Sequence, residues 1–308
     1  QFNALLSKDP NNQYANNAQY WLGEAYRVSK NNDAARKAFN LVIEKYPNSA
    51  KVPDALLRLG LMEIEQHNTA KAKDYFTRVI TDFPNSPPAQ SEKLMLDTLR
   101  ISEIFYSLQG ESSTVGLPTV FIRLTGCPLR CVYCDTSYAF SGGTKMAFDA
   151  IFAEVEKYHC RHVCVTGGEP LAQSACIRLL TKLVDLGYLV SLETSGSLDV
   201  SKVDLRVTKV MDLKTPSSGE MDKNRYENIA FLSTQDEVKF VIAGEEDYNW
   251  SKNILAQYDL TKQCRVLFSP VAEQQNPTQL AEKILEDKLA VRFQIQLHKL
   301  LWQDAQGK

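Results

Sequence analysis

The chain has 308 residues, long enough for two domains, with 44% hydrophobic and 23% charged residues and a formal net charge of −2. That balance carries no electrostatic signature of nucleic-acid binding, no apolar run approaches the ~20 residues of a membrane span, and no secretory signal opens the sequence. Seven cysteines, an odd number in a chain too large to need disulfide staples, suit a reducing compartment, so a cytoplasmic protein is expected.

Residues 1–92 read as helical repeats. A shift of 37 positions superimposes Pro10-Asn11 on Pro47-Asn48-Ser49 and Pro84-Asn85-Ser86, Phe2 on Phe39 and Phe76, Leu22-Gly23 on Leu59-Gly60, and Tyr46 on Phe83. Landmarks coinciding at one period mark stacked units. The small and aromatic residues, with proline closing each second helix, resemble tetratricopeptide repeats, whose usual period is about 34. The longer unit is similar to the C-terminal repeats of the periplasmic Tol-associated cell-division coordinators. Residue 1 falls within what would be a second helix, so a truncated array is expected, joined to a second protein by gene fusion, reading-frame merger or choice of chain ends. Pro84-Asn85-Ser86-Pro87-Pro88 stops the last helix, and Met95 is the expected ancestral start of a second domain, residues 93–308. The partner of the repeats is left open.

From Thr98 the pattern becomes short apolar runs alternating with helical stretches. Strands are expected at 99–105, 119–124, 162–166, 189–193, 207–213, 237–242, 265–269 and 292–297, and helices at 147–158, 171–186, 247–258 and 277–287. Such alternation predicts an α/β fold with a parallel sheet and crossover helices. Ligands of these folds gather at the carboxyl ends of the strands. The turn Thr166-Gly167-Gly168-Glu169-Pro170, the run Glu193-Thr194-Ser195-Gly196 and Asp212-Leu213-Lys214 all fall there.

The stretch with the most chemistry is Gly126-Cys-Pro-Leu-Arg-Cys-Val-Tyr-Cys-Asp-Thr136, in which Cys127, Cys131 and Cys134 form a C-x3-C-x2-C triplet after a strand. Thiolates so spaced converge on one metal centre. Three, rather than the usual four, leave a position open for substrate or cofactor. A zinc knuckle is the plain alternative. With the two glycines of the later turn, which let backbone approach a ligand closely, and Tyr133 before the last cysteine, the pattern resembles the radical S-adenosylmethionine enzymes. That resemblance implies a partial (β/α) barrel, a 4Fe–4S cluster on the three cysteines, S-adenosylmethionine on its open iron, and hydrogen abstraction from substrate by a 5′-deoxyadenosyl radical.

Three further features narrow the family: Glu103-Ile-Phe-Tyr-Ser-Leu-Gln-Gly-Glu111 with Arg123 on the next strand, Asp135-Thr136 after the last cluster cysteine, and Gln296-Leu-His-Lys-Leu-Leu-Trp302 near the end. Together, over about residues 95–308, they resemble the 7-carboxy-7-deazaguanine synthases of the queuosine pathway. The resemblance implies contacts to S-adenosylmethionine from Tyr133, Cys134, Asp135, Gly168, Ser195, Asp212 and Lys214. It implies contacts to a carboxylated tetrahydropterin from Leu108, Gln109, Gly110, Arg123, Thr166 and His298, and Mg2+ on Thr136. It further implies a flavodoxin-like reductant and a homodimer. Glu193 is open between a site residue and a structural carboxylate. The segment His159-Cys160-Arg161-His162-Val163-Cys164 looks metal-like, but it runs into a core strand and is read as structural, as are Cys176 and Cys264. Glycyl-radical activating enzymes share the cluster loop and the GGEP turn and are the competing enzyme class; a repeat-based interaction scaffold is the non-enzymatic alternative.

Overall fold

The computed structural model describes residues 14–66, 68–89, 97–303, 305 and 307. Phe2, Pro10-Asn11, Met95 and the 92/93 boundary lie outside them. The chain divides into two compact units, residues 1–96 and 97–308, and among the described residues no helix is long and apolar enough to cross a membrane.

The first unit contains two helical hairpins, α1 (Ala15–Val28) with α2 (Asn32–Lys45) and α3 (Val52–Glu65) with α4 (Thr69–Asp82). The repeated glycines explain the period. A Cβ on Gly23 would stand 2.6 Å from the Phe39 ring, and one on Gly60 would strike the Phe76 ring, so each first helix leaves a gap that the aromatic of its second helix fills. Phe39, Leu56, Leu59, Met62 and Val79 form the core between them. Asn31 caps α2 by accepting from the Ala34 amide at 3.2 Å, and Pro53 occupies the first turn of α3, where its missing N–H costs nothing.

The second unit is one nine-stranded sheet, β3-β1-β2-β4-β5-β6-β7-β8-β9 in order. Its strands are β1 (Thr98–Leu108), β2 (Pro118–Leu124), β3 (Thr144–Ala147), β4 (His162–Gly167), β5 (Leu189–Thr194), β6 (Thr208–Asp212), β7 (Glu237–Ile242), β8 (Arg265–Pro270) and β9 (Arg292–Phe293). From β2 through β9 the neighbours run parallel, as expected. β1 pairs antiparallel with both β2 and β3, so the expected parallel sheet carries two antiparallel pairings at one edge. The run expected as a strand to residue 297 yields only a two-residue strand, and Leu297 instead begins helix α9 (Leu297–Trp302).

Helices α5 (Phe148–Glu156), α6 (Cys176–Asp185), α7 (Glu245–Gln257) and α8 (Pro277–Glu286) carry the apolar stripes that cover the outer face of the sheet. In α6 the stripe is Cys176, Leu179, Leu180 and Leu183, the spacing of one helix face, and all four are buried. The strands alternate accordingly. Val120, Ile122 and Leu124 of β2, Val163 and Val165 of β4, and Val190 and Leu192 of β5 enter one core. Val238, Phe240 and Ile242 of β7 and Val266 and Phe268 of β8 enter another. Period-two geometry then turns Phe121, Arg123, Cys164, Thr166, Glu193, Asp212, Lys239 and Val241 to the inner face, where they line a cavity.

Candidate active site

The cavity has a volume of about 250 Å3, just under the roughly 300–1,000 Å3 of most small-ligand sites. Around it stand Cys127, Cys131, Cys134, Tyr133, Asp135, Thr136, Gly168, Ser195, Asp212, Lys214, Leu108, Gln109, Gly110, Arg123, Thr166 and His298. The residues singled out from separate segments between Leu108 and His298 are therefore neighbours in space.

The cysteine loop leaves β2 through Gly126, whose φ of +100° suits glycine. Gly126 donates to the Ala139 carbonyl at 2.8 Å and accepts from the Glu169 amide at 2.8 Å, which pins the loop to the GGEP turn. A Cβ on Gly168 would lie 2.7 Å from that of Cys127, and one on Gly167 would collide with the Leu124 backbone, so both glycines permit the approach. Glu169 is fully buried and accepts from the Leu171 amide at 3.0 Å, the Thr194 hydroxyl at 3.0 Å and the Ser195 amide at 2.7 Å, tying the turn to the end of β5. The three thiols are unpaired and half-buried. Burial raises the Cys127 and Cys131 thiols above their ordinary range, a bias that a bound metal reverses because it takes the thiolate. Burial likewise pushes the Tyr133 phenol up to about 12, so it stays neutral, and its hydroxyl lies 3.1 Å from that of Thr215.

At the next strand ends, Lys214 Nζ lies 3.1 Å from Asp212 Oδ2. Burial alone would lower that ammonium, but Asp212, Cys131 and Tyr133 together outweigh it and hold Lys214 above its ordinary value. Asp212 Oδ1 is buried with no hydrogen-bond partner among the described residues. Thr136 donates to Asp135 at 2.8 Å. Partial desolvation opposes ionisation of Asp135, yet this hydrogen bond and the Lys299 ammonium 3.7 Å away keep its carboxyl below the usual range.

At the other end, register sets Glu103 beside Arg123 and Arg123 beside Thr166. Arg123 Nε donates to Glu103 at 2.7 Å and the guanidinium lies over the rings of Phe105 and Tyr138 at 5.6 and 5.9 Å. Glu103 thus engages Nε and leaves the terminal nitrogens for the cavity. The His298 ring covers Gly110 so closely that a Cβ there would meet the imidazole, and burial lowers its basicity.

Sequence reasoning missed Lys239. Its ammonium is buried and sits 2.6 Å from Glu111, 3.7 Å from Asp212 and 4.0 Å from Glu193. Burial would lower it, and the three carboxylates hold it well above the ordinary lysine value. The signal was the pattern Glu-Val-Lys inside a run otherwise apolar on both faces, since an unpaired charge at such a position is costly. Cys164 lies on the cavity wall rather than in a metal group, and among the described residues no three His, Cys, Asp or Glu converge as ligands of a single ion would. Cys176 and Cys264 are buried in the two cores.

A partial barrel with three thiols at one rim and, among the described residues, no fourth protein ligand beside them defines a radical S-adenosylmethionine domain, and that superfamily is matched by residues 121–213. Tetratricopeptide repeats are matched by residues 17–49 and 54–86. The chain is 47% identical over 213 residues to the 7-carboxy-7-deazaguanine synthase of Chlorobaculum tepidum, covering 68% of this chain and 97% of that one. It is 42% identical to that of Koribacter versatilis, covering 66% and 97%. A crystal structure of QueE from Escherichia coli, 23% identical, superposes with a TM-score of 0.56 over 68% of this chain and 99% of the other, a likeness of fold. The chain belongs to the 7-carboxy-7-deazaguanine synthase family.

Membership brings a 4Fe–4S cluster, S-adenosylmethionine and Mg2+. The residues present fit them. Three thiols without a fourth suit a cluster with one open iron. Gly168 offers bare backbone beside the cysteine loop, and Asp212 Oδ1 is a buried acceptor still in need of a donor. The Thr136 hydroxyl and Asp135 carboxylate supply the oxygen donors that Mg2+ prefers.

Proposed function

We propose that residues 93–308 convert 6-carboxy-5,6,7,8-tetrahydropterin to 7-carboxy-7-deazaguanine with loss of ammonia, with each residue acting as follows. Cys127, Cys131 and Cys134 hold the cluster. Gly168, Ser195, Asp212 and Lys214 hold S-adenosylmethionine, with Tyr133 and Asp135 beside it. When bound, cluster and S-adenosylmethionine together supply the radical that takes a hydrogen atom from the substrate. Arg123 binds the substrate carboxylate through its terminal guanidinium nitrogens, a forked geometry that lysine does not offer. Leu108, Gln109, Gly110, Thr166 and His298 orient the ring, and Thr136 would hold Mg2+, which would supply stabilisation of negative charge on the substrate. Enclosure by the barrel keeps water from the reacting atoms. A flavodoxin-like protein reduces the cluster, the enzyme is a homodimer, and it works in the cytoplasm.

The observation that carries this reading is that the cluster loop, the strand-end motifs and the Leu-Gln-Gly turn border one small cavity within a family whose relatives are matched over nearly their whole length. Anaerobic turnover of the reconstituted, reduced protein with S-adenosylmethionine and the carboxytetrahydropterin, with and without Mg2+, tests it. The expected product has the mass of 7-carboxy-7-deazaguanine, is stimulated by Mg2+ and is lost in Cys134→Ala. Slow 5′-deoxyadenosine release without a pterin product would overturn the substrate while leaving the radical chemistry.

A further inference from the structure

Glu237 opens β7, is fully buried, and does not border the cavity. A buried carboxylate is costly unless its oxygens are satisfied; Arg265 on the neighbouring strand lies 4.0 Å from Oε1, and the hydrogen bonds to both oxygens come from one residue of a distant turn. The Ser113 amide donates to Oε1 and Oε2 at 3.0 Å each, and the Ser113 hydroxyl also donates to Oε1. Arg265 adds a donor to the Ser113 hydroxyl at 3.3 Å. Ser113 follows Ser112, whose φ of +67° is a left-handed conformation that costs free energy and persists only where neighbours enforce it.

The same turn carries Gln109, Gly110 and Glu111 on the cavity wall. Two residues along β7 from Glu237, and therefore on the same face, Lys239 donates to Glu111 at 2.6 Å. The turn is thus fastened twice, Glu111 to Lys239 and Ser113 to Glu237, with matching two-residue spacing. This fastening spans the barrel interior, because β1 and β2, which the turn joins, lie five and four positions from β7 in the sheet order, and among the described residues the end strands do not pair with each other.

We infer that Glu237 is a positioning residue for substrate recognition: through Ser113 it holds the turn 109–113 in the conformation that presents Gln109, Gly110 and Glu111 to the cavity. The inference rests on the proposed pterin reaction and deepens it. The hydrogen bonds and ion pair of Glu237 among the described residues go to Ser113 and Arg265, not to the thiol loop, Ser195, Asp212 or Lys214, and its reach to Glu193 is through charge alone, so its effect falls on the substrate and not on S-adenosylmethionine.

The test compares Glu237→Ala, Glu237→Gln and Ser113→Ala in the full-length, reconstituted enzyme. Loss of charge-assisted bonds to a buried turn is expected to raise KM for the carboxytetrahydropterin roughly tenfold in Glu237→Ala, with KM for S-adenosylmethionine within about twofold. Glu237→Gln, whose amide oxygen still accepts from the Ser113 amide and whose NH2 donates to the hydroxyl, is expected to restore KM to within about threefold. Ser113→Ala keeps the amide bonds and serves if Glu237→Ala does not fold; it should fall between the two. Equal rises in both KM values, or a lowered Tm with unchanged kinetics, would overturn the inference. Amide exchange adds a readout independent of turnover: residues 108–117 should exchange faster in Glu237→Ala while β4 to β6 keep their protection, and unchanged exchange there would sink the clamp. If the unaltered enzyme does not consume the pterin, the parent reading fails, and the exchange result still decides the clamp.

Discussion

A single side chain shows how the barrel interior is balanced. Glu193 faces the cavity among Glu111, Glu237 and Asp212, with Lys239 as the nearby cation. Desolvation raises its carboxyl first, Lys239 opposes, and the other carboxylates add to the rise, to about 8. The folded protein therefore holds a proton on Glu193 that the unfolded chain releases from about pH 4.5 upward. Where the native state binds more protons, stability falls as pH rises, so between about pH 4.5 and 8 Glu193 withdraws stability. Glu193→Gln does not titrate. The urea midpoint of the variant should gain on that of the natural protein from pH 5 to pH 8, and a constant difference across that range would show that Glu193 is ionised throughout. From sequence alone this residue is ambiguous, because its state depends on carboxylates brought in by two other strands and a turn. The cysteine triplet differs: its spacing confines the thiols to one loop whatever the rest of the chain does. The two glycines at 167 and 168 are legible for a related reason, since no other residue tolerates so close a backbone approach.

At the level of elements, strand positions are legible because apolar runs of four to eight residues bounded by turns leave little choice, and the bounds of β7 and β8 agree closely with their sequence patterns. Strand direction is not written in those runs. For β1 and β2 it was available elsewhere: only residues 109–117 separate them, too few for a parallel crossover, which needs a dozen or more. β3 is legible by neither route, since its four residues are half-exposed and acquire strand form by pairing with the edge of β1. Helix α6 shows what the periodic signal is worth in energy. Leu183 is fully buried at the end of its stripe, within the core beneath β4 and β5. Leu183→Ala should cost about 2–5 kcal/mol through lost burial and the cavity left behind. That loss would appear as a lower urea midpoint, with KM values unchanged because the side chain points away from the cavity. A loss below about 1 kcal/mol would mean the helix collapses onto the gap.

For the whole chain the question is what the repeats contribute. Each unit has its own core, and every residue lining the cavity lies between Phe105 and His298. Repeat units are stabilised by their neighbours, with stability summed over units and interfaces, so an overpacked position within one of the two described hairpins weakens its neighbour as well. Gly60 offers that position: a Val side chain there has nowhere to go but into the Phe76 ring, and overpacking of this kind costs about 1–3 kcal/mol. Gly60→Val in the full chain should lower the unfolding transition of the repeats, followed by helical circular dichroism, while kcat/KM for the pterin stays within about twofold of the natural value. A chain shortened to begin at Met95 should turn over equally well. Agreement of the two would make the repeats a passenger in catalysis, free to serve another partner. If the shortened chain were slow but Gly60→Val were not, residues between the last helix and β1 would matter to the enzyme, independent of whether the repeats are folded. If both were slow, catalysis would depend on the folded repeats, and the division of labour inferred from the cavity's composition would be wrong.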